Sequence, residues 1–523
     1  MTAQAGHLDD RQVIPRWRSF AATVRIGELR PLSRAPSNLD DDELKRAFVR
    51  ERLRPSKYAA AQLLSILLAR GEQGQARAVA SRLEGPLPLT LAQTAARLLK
   101  SGGSTEDVSS QARINDTEFD PKAFSQNLGA DARRRIRARG NASAAWADLA
   151  LAHTVQGLTD RAQKEMRHAL NLAPDSRFVL RAAARLYVHL DDVEKANWIL
   201  NSSERVLEDP WLMAAELSTS ELAFGRTKNV RRARSLAEAG HFTDLALSEL
   251  RSELATAEIR AGRDRKARML FQRSFVDPTE NAVAQAVSWA ERSRLELDPG
   301  LLRMEDGHEA RALEGARNGE WQAAITESAA WHRDQPFSVE PIQFASYAAS
   351  VGAGDYERAA QIAAAGLALH RDDRTLRNNA AYALANLGRT AEARAQIVPP
   401  KGRESVEDLT EVATTGLISF REGDIQAGRV RYREAVAGFE RIRRQDLAAT
   451  ATVHLVLEEA RLGLGTTHSF VSRVRRAFPL IPLAEREAFT LRVSHVLRDL
   501  ERAPSPSRSI GGDDGNDAAT RAE

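Results

Sequence analysis

Residues able to carry out chemistry are few in this chain, and their spacing rarely suits it. No Cys occurs among the 523 residues, which removes disulfides, thiolate metal sites and Cys nucleophiles. The 11 His are scattered. One grouping looks metal-like, His189 with Asp191, Asp192 and Glu194. It has no second His at ligand spacing and straddles a turn, where Asp serves as a helix cap. The run Gly512-Asp-Asp-Gly-Asn-Asp517 is a fragment of a calcium loop without its closing Glu or flanking helices. No phosphate loop, dinucleotide glycine fingerprint, Gly-x-Ser-x-Gly elbow or His-Glu-x-x-His occurs. The expectation is a non-catalytic protein with no metal and no cofactor. An enzyme is the rival reading, and charged residues converging in a closed pocket would mark it.

Charge offers a second kind of chemistry. Arg133, Arg134, Arg135, Arg137 and Arg139 crowd into seven residues; Lys228, Arg231, Arg232 and Arg234 form a second group, and Arg473, Arg475 and Arg476 a third. Such charge binds phosphates when it gathers on one face. The first group wraps all round any helix it forms, so it reads first as solvated chain, with nucleic acid or another anion as the alternative partner. The whole chain carries only +4, with 75 basic and 71 acidic residues interleaved, so the pI of about 9.4 reflects an ion-paired surface. Arg far exceeds Lys, as a GC-rich bacterial coding source would give.

Few aromatics (6%) and many Ala and Leu favour helices over sheets. The longest nearly apolar stretch, Tyr58 to Ala69, has 12 residues, against about 20 for a membrane span. No apolar segment follows the N-terminus, and a cytoplasmic protein is expected. Residues 1–38, with several Arg and three Pro, read as an extended or disordered basic arm. Helical hairpins are expected over 39–101 and a linker able to hold one helix over 102–142. Two helical arrays follow, 143–278 and 279–465, then capping helices over 466–501 and a disordered tail over 502–523.

The arrays rest on a frame that recurs. Trp146, Leu149, Ala150, His153, Ala162, Met166, Ala169 and Pro174 keep fixed offsets about Gly157, and the turn glycines 319, 354, 388 and 423 lie 35, 34 and 35 residues apart. Small residues at 150 and 162 let two helices approach, large ones fill the space between hairpins, Gly157 ends the first helix, and Pro174 ends the second. One hairpin cannot bury its apolar face alone, so several must stack. The frame weakens over 211–247, where Asp209-Pro210 stands and a turn glycine is not recognised, and over 279–304, where no second helix is evident.

Residues 143–442 thus resemble the tetratricopeptide repeat family, with a fainter likeness over 57–100. The resemblance implies an all-α, right-handed superhelical solenoid of antiparallel hairpins. It also implies a concave groove, lined by the first helix of each hairpin, that holds a protein or peptide partner. Helical spacing then nominates Phe178, Arg181, Arg185 and His189 in one repeat. Asn378, Asn379, Tyr382 and Asn386 are nominated in another, and Thr414, Leu417, Phe420 and Arg421 in a third. Arg181 and Arg185 favour an acidic stretch in the ligand. The Lys and Asn set that some relatives use to clamp a C-terminal carboxylate is not reproduced, because Ala147 and Leu151 stand on that face. The expected function is a protein–protein interaction scaffold or adaptor, with a nucleic-acid-binding regulator as the alternative.

Overall fold

The computed structural model describes residues 11–30, 32–33, 73–81, 120–398, 405–464, 466–481, 485–486 and 488–494, with isolated positions between 48 and 67. Most of the expected hairpins over 39–101, the linker before 120, the tail over 502–523 and much of the expected helix over 482–500 lie outside the described residues.

Helices make up the regular structure, and one isolated bridge pairs Ser33 with Phe242. A short helix α1 (Phe20–Ile26), α2 (Gln73–Ser81) and α3 (Pro121–Ala138) precede a series of hairpins. These are α4 (Ser143–Val155) with α5 (Thr159–Leu172), α6 (Arg177–His189) with α7 (Val193–Asn201), and α8 (Pro210–Phe224) with α9 (Val230–Glu238). Next come α10 (Asp244–Arg260) with α11 (Asp264–Ser274), then α12 (Glu280–Ser293), then α13 (His308–Arg317) with α14 (Trp321–Asp334). The rest are α15 (Glu340–Tyr347) with α16 (Tyr356–Leu369), α17 (Arg374–Asn386) with α18 (Thr390–Gln396), α19 (Val406–Arg421) with α20 (Ile425–Arg441), and α21 (Gln445–Arg461) with α22 (Thr467–Ala477). No helix among the described residues is long and apolar enough to cross a membrane.

The hairpin offsets have the expected cause. Ala150 and Ala162 are fully buried where α4 meets α5, and Met166 and Ala169 are buried beside them. Gly157, Asp191 and Gly225 follow at intervals of 34 residues with φ of 71°, 58° and 61°. A left-handed turn is cheap for Gly and tolerable for Asp, which explains why the second position can do without glycine. Gly225 also corrects the reading of 211–247. The turn glycine is present, and the departure is a longer connection before α9 begins at Val230.

Between α12 and α13 only a 3-10 turn, Pro299–Arg303, stands in place of a second helix, as the sequence suggested. The linker does hold a helix, α3, capped by Asp120 accepting from the Lys122 N–H at 2.8 Å. Its Gly129 approaches Ala152 of α4, so packing begins before residue 143. The chain divides into two compact units: Gln4–Ala349 with Gln361–Leu376, and Ser350–Ala360 with Arg377–Glu523. The division lies near the π-turn Ala348–Gly352 and not at 278/279.

The largest departure concerns the N-terminal arm. It is extended in the sense of lacking regular structure from Arg11 to Ser19, but it is not solvated: Val13, Trp17 and Arg18 are 0, 1 and 5% exposed. Ser19 then caps α1, which ends at Gly27 with φ 84°. Trp17 belongs to the main apolar cluster of the first unit, with Leu151, Met166, Phe178, Tyr187 and Phe337.

Candidate functional site

The arm lies against the first helices of successive hairpins, on the side where a tetratricopeptide groove is expected. Buried polar side chains on these helices hold its backbone. Gln285 of α12 donates through Nε2 to the Arg11 carbonyl at 2.6 Å, and Trp289 Nε1 donates to the same oxygen at 3.1 Å. Glu253 of α10 accepts from the Val13 N–H at 3.2 Å, while Ser218 of α8 donates to the Val13 carbonyl at 3.0 Å. Asn281 donates to the Ile14 carbonyl at 3.0 Å, Gln335 accepts from the Trp17 N–H at 3.3 Å, and Asp148 of α4 accepts from the Phe20 N–H at 2.8 Å.

The arm's side chains find acids. Arg11 grips both carboxylate oxygens of Glu309 at 2.7 and 2.9 Å and donates to Gln285 and Asn281, both at 2.7 Å. Arg16 pairs with the same Glu309. Arg18 forks onto Asp334 at 2.5 and 2.7 Å and reaches Glu280 at 2.6 Å. Such bidentate, charge-assisted contacts fix geometry as well as charge. Trp17 packs on Phe337 with ring centroids 5.4 Å apart.

Electrostatics follows from burial and from the arm's arginines. Burial works to raise Glu309, but Arg11 and Arg16 outweigh it and hold the carboxyl at about 2. Asp334, also buried, is held below the usual range by Arg18. Glu253 is different: burial dominates, the Val13 N–H and Arg260 offset it only in part, and its carboxyl is pushed up to about 7. Burial likewise lifts Asp148 to about 6 despite Arg135. Beside the arm two spaces stay open. One of about 270 Å³ borders Trp17, Arg18 and Asp334; the other, of about 130 Å³, borders Arg16, Arg18, Glu28 and Arg181.

No family model and no curated protein matches the chain. Among solved structures, the human IFIT1 dimer with PPP-AAAA is similar at 11% identity and a TM-score of 0.32, covering 95% of this chain and 99% of that one. The APC/C hetero-tetramer Cut9–Hcn1 is similar at 12% identity and 0.30, over 88% and 94%. Yeast Tom70 is similar at 11% identity and 0.28, over 74% and 98%. Left-handed turn residues lie 34 residues apart from Gly157 through Asp191 to Gly225 and 34 or 35 apart from Gly319 to Gly423, and Ala150, Ala162, Ala184 and Ala196 are buried in their hairpins. The chain is a tetratricopeptide-like helical-repeat protein.

Of the expected tetratricopeptide-like groove residues, those of α6 meet the arm or its immediate surroundings. Phe178 packs edge-on against Phe20 at 5.2 Å. Arg181 pairs with Glu28 of the arm and with Glu249 at 2.9 Å, its guanidinium lying 5.0 Å from the Trp211 ring centroid. Arg185 donates to Ser338 at 3.0 Å, pairs with Glu340 at 3.4 Å and lies over Phe337, against which His189 packs edge-on. An acidic ligand was expected from Arg181 and Arg185. Both arginines have acidic partners within the chain, Arg181 in Glu28 of the arm itself, while carboxylates face Arg11, Arg16 and Arg18 of the arm.

The residues expected from the later repeats belong to the second unit; all are buried except Asn386 and Arg421, which are half-buried. Asn378 and Asn379 are 3 and 0% exposed. Tyr382 Oη accepts from Arg492 at 3.3 Å, and Asn386 accepts from Arg421 at 3.3 Å, while Arg421 also pairs with Glu458 at 2.7 Å. Thr414, Leu417 and Phe420 are buried. Phe420 lies within its own hairpin: a Cβ on Gly428 of α20 would stand 2.6 Å from its ring. Glycine at 428 lets the two helices close on that ring, so Phe420 faces its hairpin partner and not an open groove.

Within the arginine cluster, Arg135 reaches Asp148 at 2.6 Å and so supports the carboxylate that holds Phe20. Arg133, Arg134, Arg137 and Arg139 are exposed on or just after α3. Asp192 caps α7 by accepting from the Lys195 N–H, and no group of three His, Asp or Glu able to hold a metal exists among the described residues. Sequence reasoning missed the arm and its receptors. The available signal was the pairing of Glu249 with Glu253 and of Asn281 with Gln285, each four apart on one helix, with Arg11, Arg16 and Arg18 around Trp17.

Proposed function

We propose that this protein is a non-catalytic protein–protein interaction scaffold whose first unit holds a non-helical polypeptide segment along its first helices. One observation carries the reading: side chains of α4, α8, α10 and α12 bind main-chain amides and carbonyls of residues 11–20. Contacts of that kind recognise polypeptide as such, and neighbouring side-chain pockets add selectivity. Random-peptide display on the full chain carrying Arg18→Glu, which unseats the arm, tests it. The expected result is enriched peptides whose binding falls on Asn281→Ala with Gln285→Ala. Enrichment that ignores both substitutions, or none at all, overturns the reading.

A second reading rests on the exposed Arg133, Arg134, Arg137 and Arg139, which suit a phosphate backbone. Four such contacts would give a salt slope of roughly −3 to −4 in log affinity for mixed duplex DNA. No binding at about 50 mM salt, where such contacts are strong, removes it.

A further inference from the structure

We infer that residues 11–30 are an intramolecular ligand of the first unit, and that the partner it takes in trans is a segment of another protein carrying the same pattern. That pattern is two arginines seven residues apart, with a Trp or Phe directly before the second. The inference rests on the scaffold reading above and names its ligand and its regulation.

Three observations support it. First, the receptor is acidic where the arm carries Arg11, Arg16 and Arg18, and basic, through Arg181, where the arm carries Glu28. Glu309 is held by Arg11 and Arg16, and Glu280 and Asp334 by Arg18, with arm and receptor side chains all largely buried. A vacant face would leave buried carboxylates unpaired, so it must take up another cationic segment or admit water. Second, a solvent-open space of about 270 Å³ beside Trp17, Arg18 and Asp334 and one of about 130 Å³ beside Arg16 and Arg18 border the arm. Third, its hydrogen-bonded receptors lie 128 to 318 residues away in sequence and are spread over several separate helices.

A tethered segment competes at an effective concentration on the order of millimolar, so a free peptide with the same contacts loses until the arm is weakened. The test measures fluorescence polarisation of a labelled peptide of residues 11–30 on the full wild-type chain and on Arg18→Glu. The variant should bind at least about tenfold more tightly than wild type, because its groove is more often vacant. A peptide with Gln in place of both Arg11 and Arg18 should bind the variant at least about tenfold more weakly than the native peptide. Equal affinity of the two proteins for the native peptide overturns the tethered-ligand inference, and equal affinity of the variant for both peptides overturns the arginine pattern. In either case groove-dependent peptides from the display experiment would leave the scaffold reading standing. If circular dichroism shows Arg18→Glu to be unfolded, Arg11→Gln with Arg16→Gln serves in its place, with the same expected and overturning results.

Discussion

Both units cover inner faces with chain from a distant part of the sequence, in chemically different ways. In the first, an irregular arm is held through its backbone and three arginines against carboxylates. In the second, residues 485–494 bring Phe489, fully buried, edge-on to His454 at 5.1 Å, and His454 packs in turn on Tyr382 at 5.6 Å. Arg492 there donates to the Ser350 carbonyl at 2.8 Å and lies 5.6 Å from the Phe489 ring centroid. Burial pushes the Tyr382 hydroxyl up and His454 down, so both stay neutral. Paired charges together with Trp17 and Phe20 hold the first cover, and buried aromatic surface the second. Charged contacts can be re-made by an incoming segment, whereas an aromatic core that opens loses its apolar burial outright.

The largest expected effect sits on the aromatic side. Phe489→Ala should cost the second unit about 3–5 kcal/mol, seen as an early melting transition, and should leave peptide binding unchanged. A variant of native stability that gained peptide binding would break the contrast between the two faces. Next, Gly428→Ala places a methyl 2.6 Å from the Phe420 ring and should cost about 1–3 kcal/mol of thermal stability. Unaltered melting would return Phe420 to the list of groove residues.

On the charged side, pH separates the carboxylates. Glu253 in the folded protein is raised to about 7, above its unfolded value. Its contribution is therefore favourable at low pH and is lost as pH rises from about 4.5 through 7. Asp148, raised to about 6, has the same sign, whereas Glu309, held at about 2, loses its contribution only as pH falls below about 4. Stability should decline from pH 5 to pH 8, and Glu253→Gln should flatten that decline by on the order of 1–2 kcal/mol. A denaturant series showing the same slope in both proteins would remove Glu253 from the account. The smallest effect belongs to Arg134, 73% exposed and paired only loosely with Asp131 at 3.2 Å. Arg134→Ala should shift stability by less than about 0.5 kcal/mol, and a larger change in chemical denaturation would place Arg134 beside Arg135 among the supports of the arm.

Much of the fold was legible because hairpin packing is local. Ala150, Gly157, Ala162 and Met166 meet within one repeat, so their spacing is written in the sequence. The face of α6 follows from helical period alone. The arm was not legible. Arg11 and Arg18 have no period, and their partners Glu309 and Asp334 stand 298 and 316 residues away. For Phe420, helical spacing gives a direction without saying which neighbour stands there, and Gly428 is that neighbour. The acids of α10 and α12 were visible, but a buried Glu and a solvated one look alike until something is laid across them.

The distance between Trp17 and its hydrogen-bond acceptor Gln335, 318 residues, also has a consequence in time. A ribosome adding roughly 5–20 residues per second makes the arm first and supplies α14 some 15–60 seconds later. Through that interval Val13 and Trp17 have emerged while α14 is still unmade, so the arm cannot complete its docking until Gln335 has been added. Contacts of such long range are slow to form even in a finished chain, because loop closure must precede the gain. A nascent molecule therefore passes through a stage in which its own N-terminus competes with any suitable segment nearby, and the order of synthesis decides when the first unit becomes occupied.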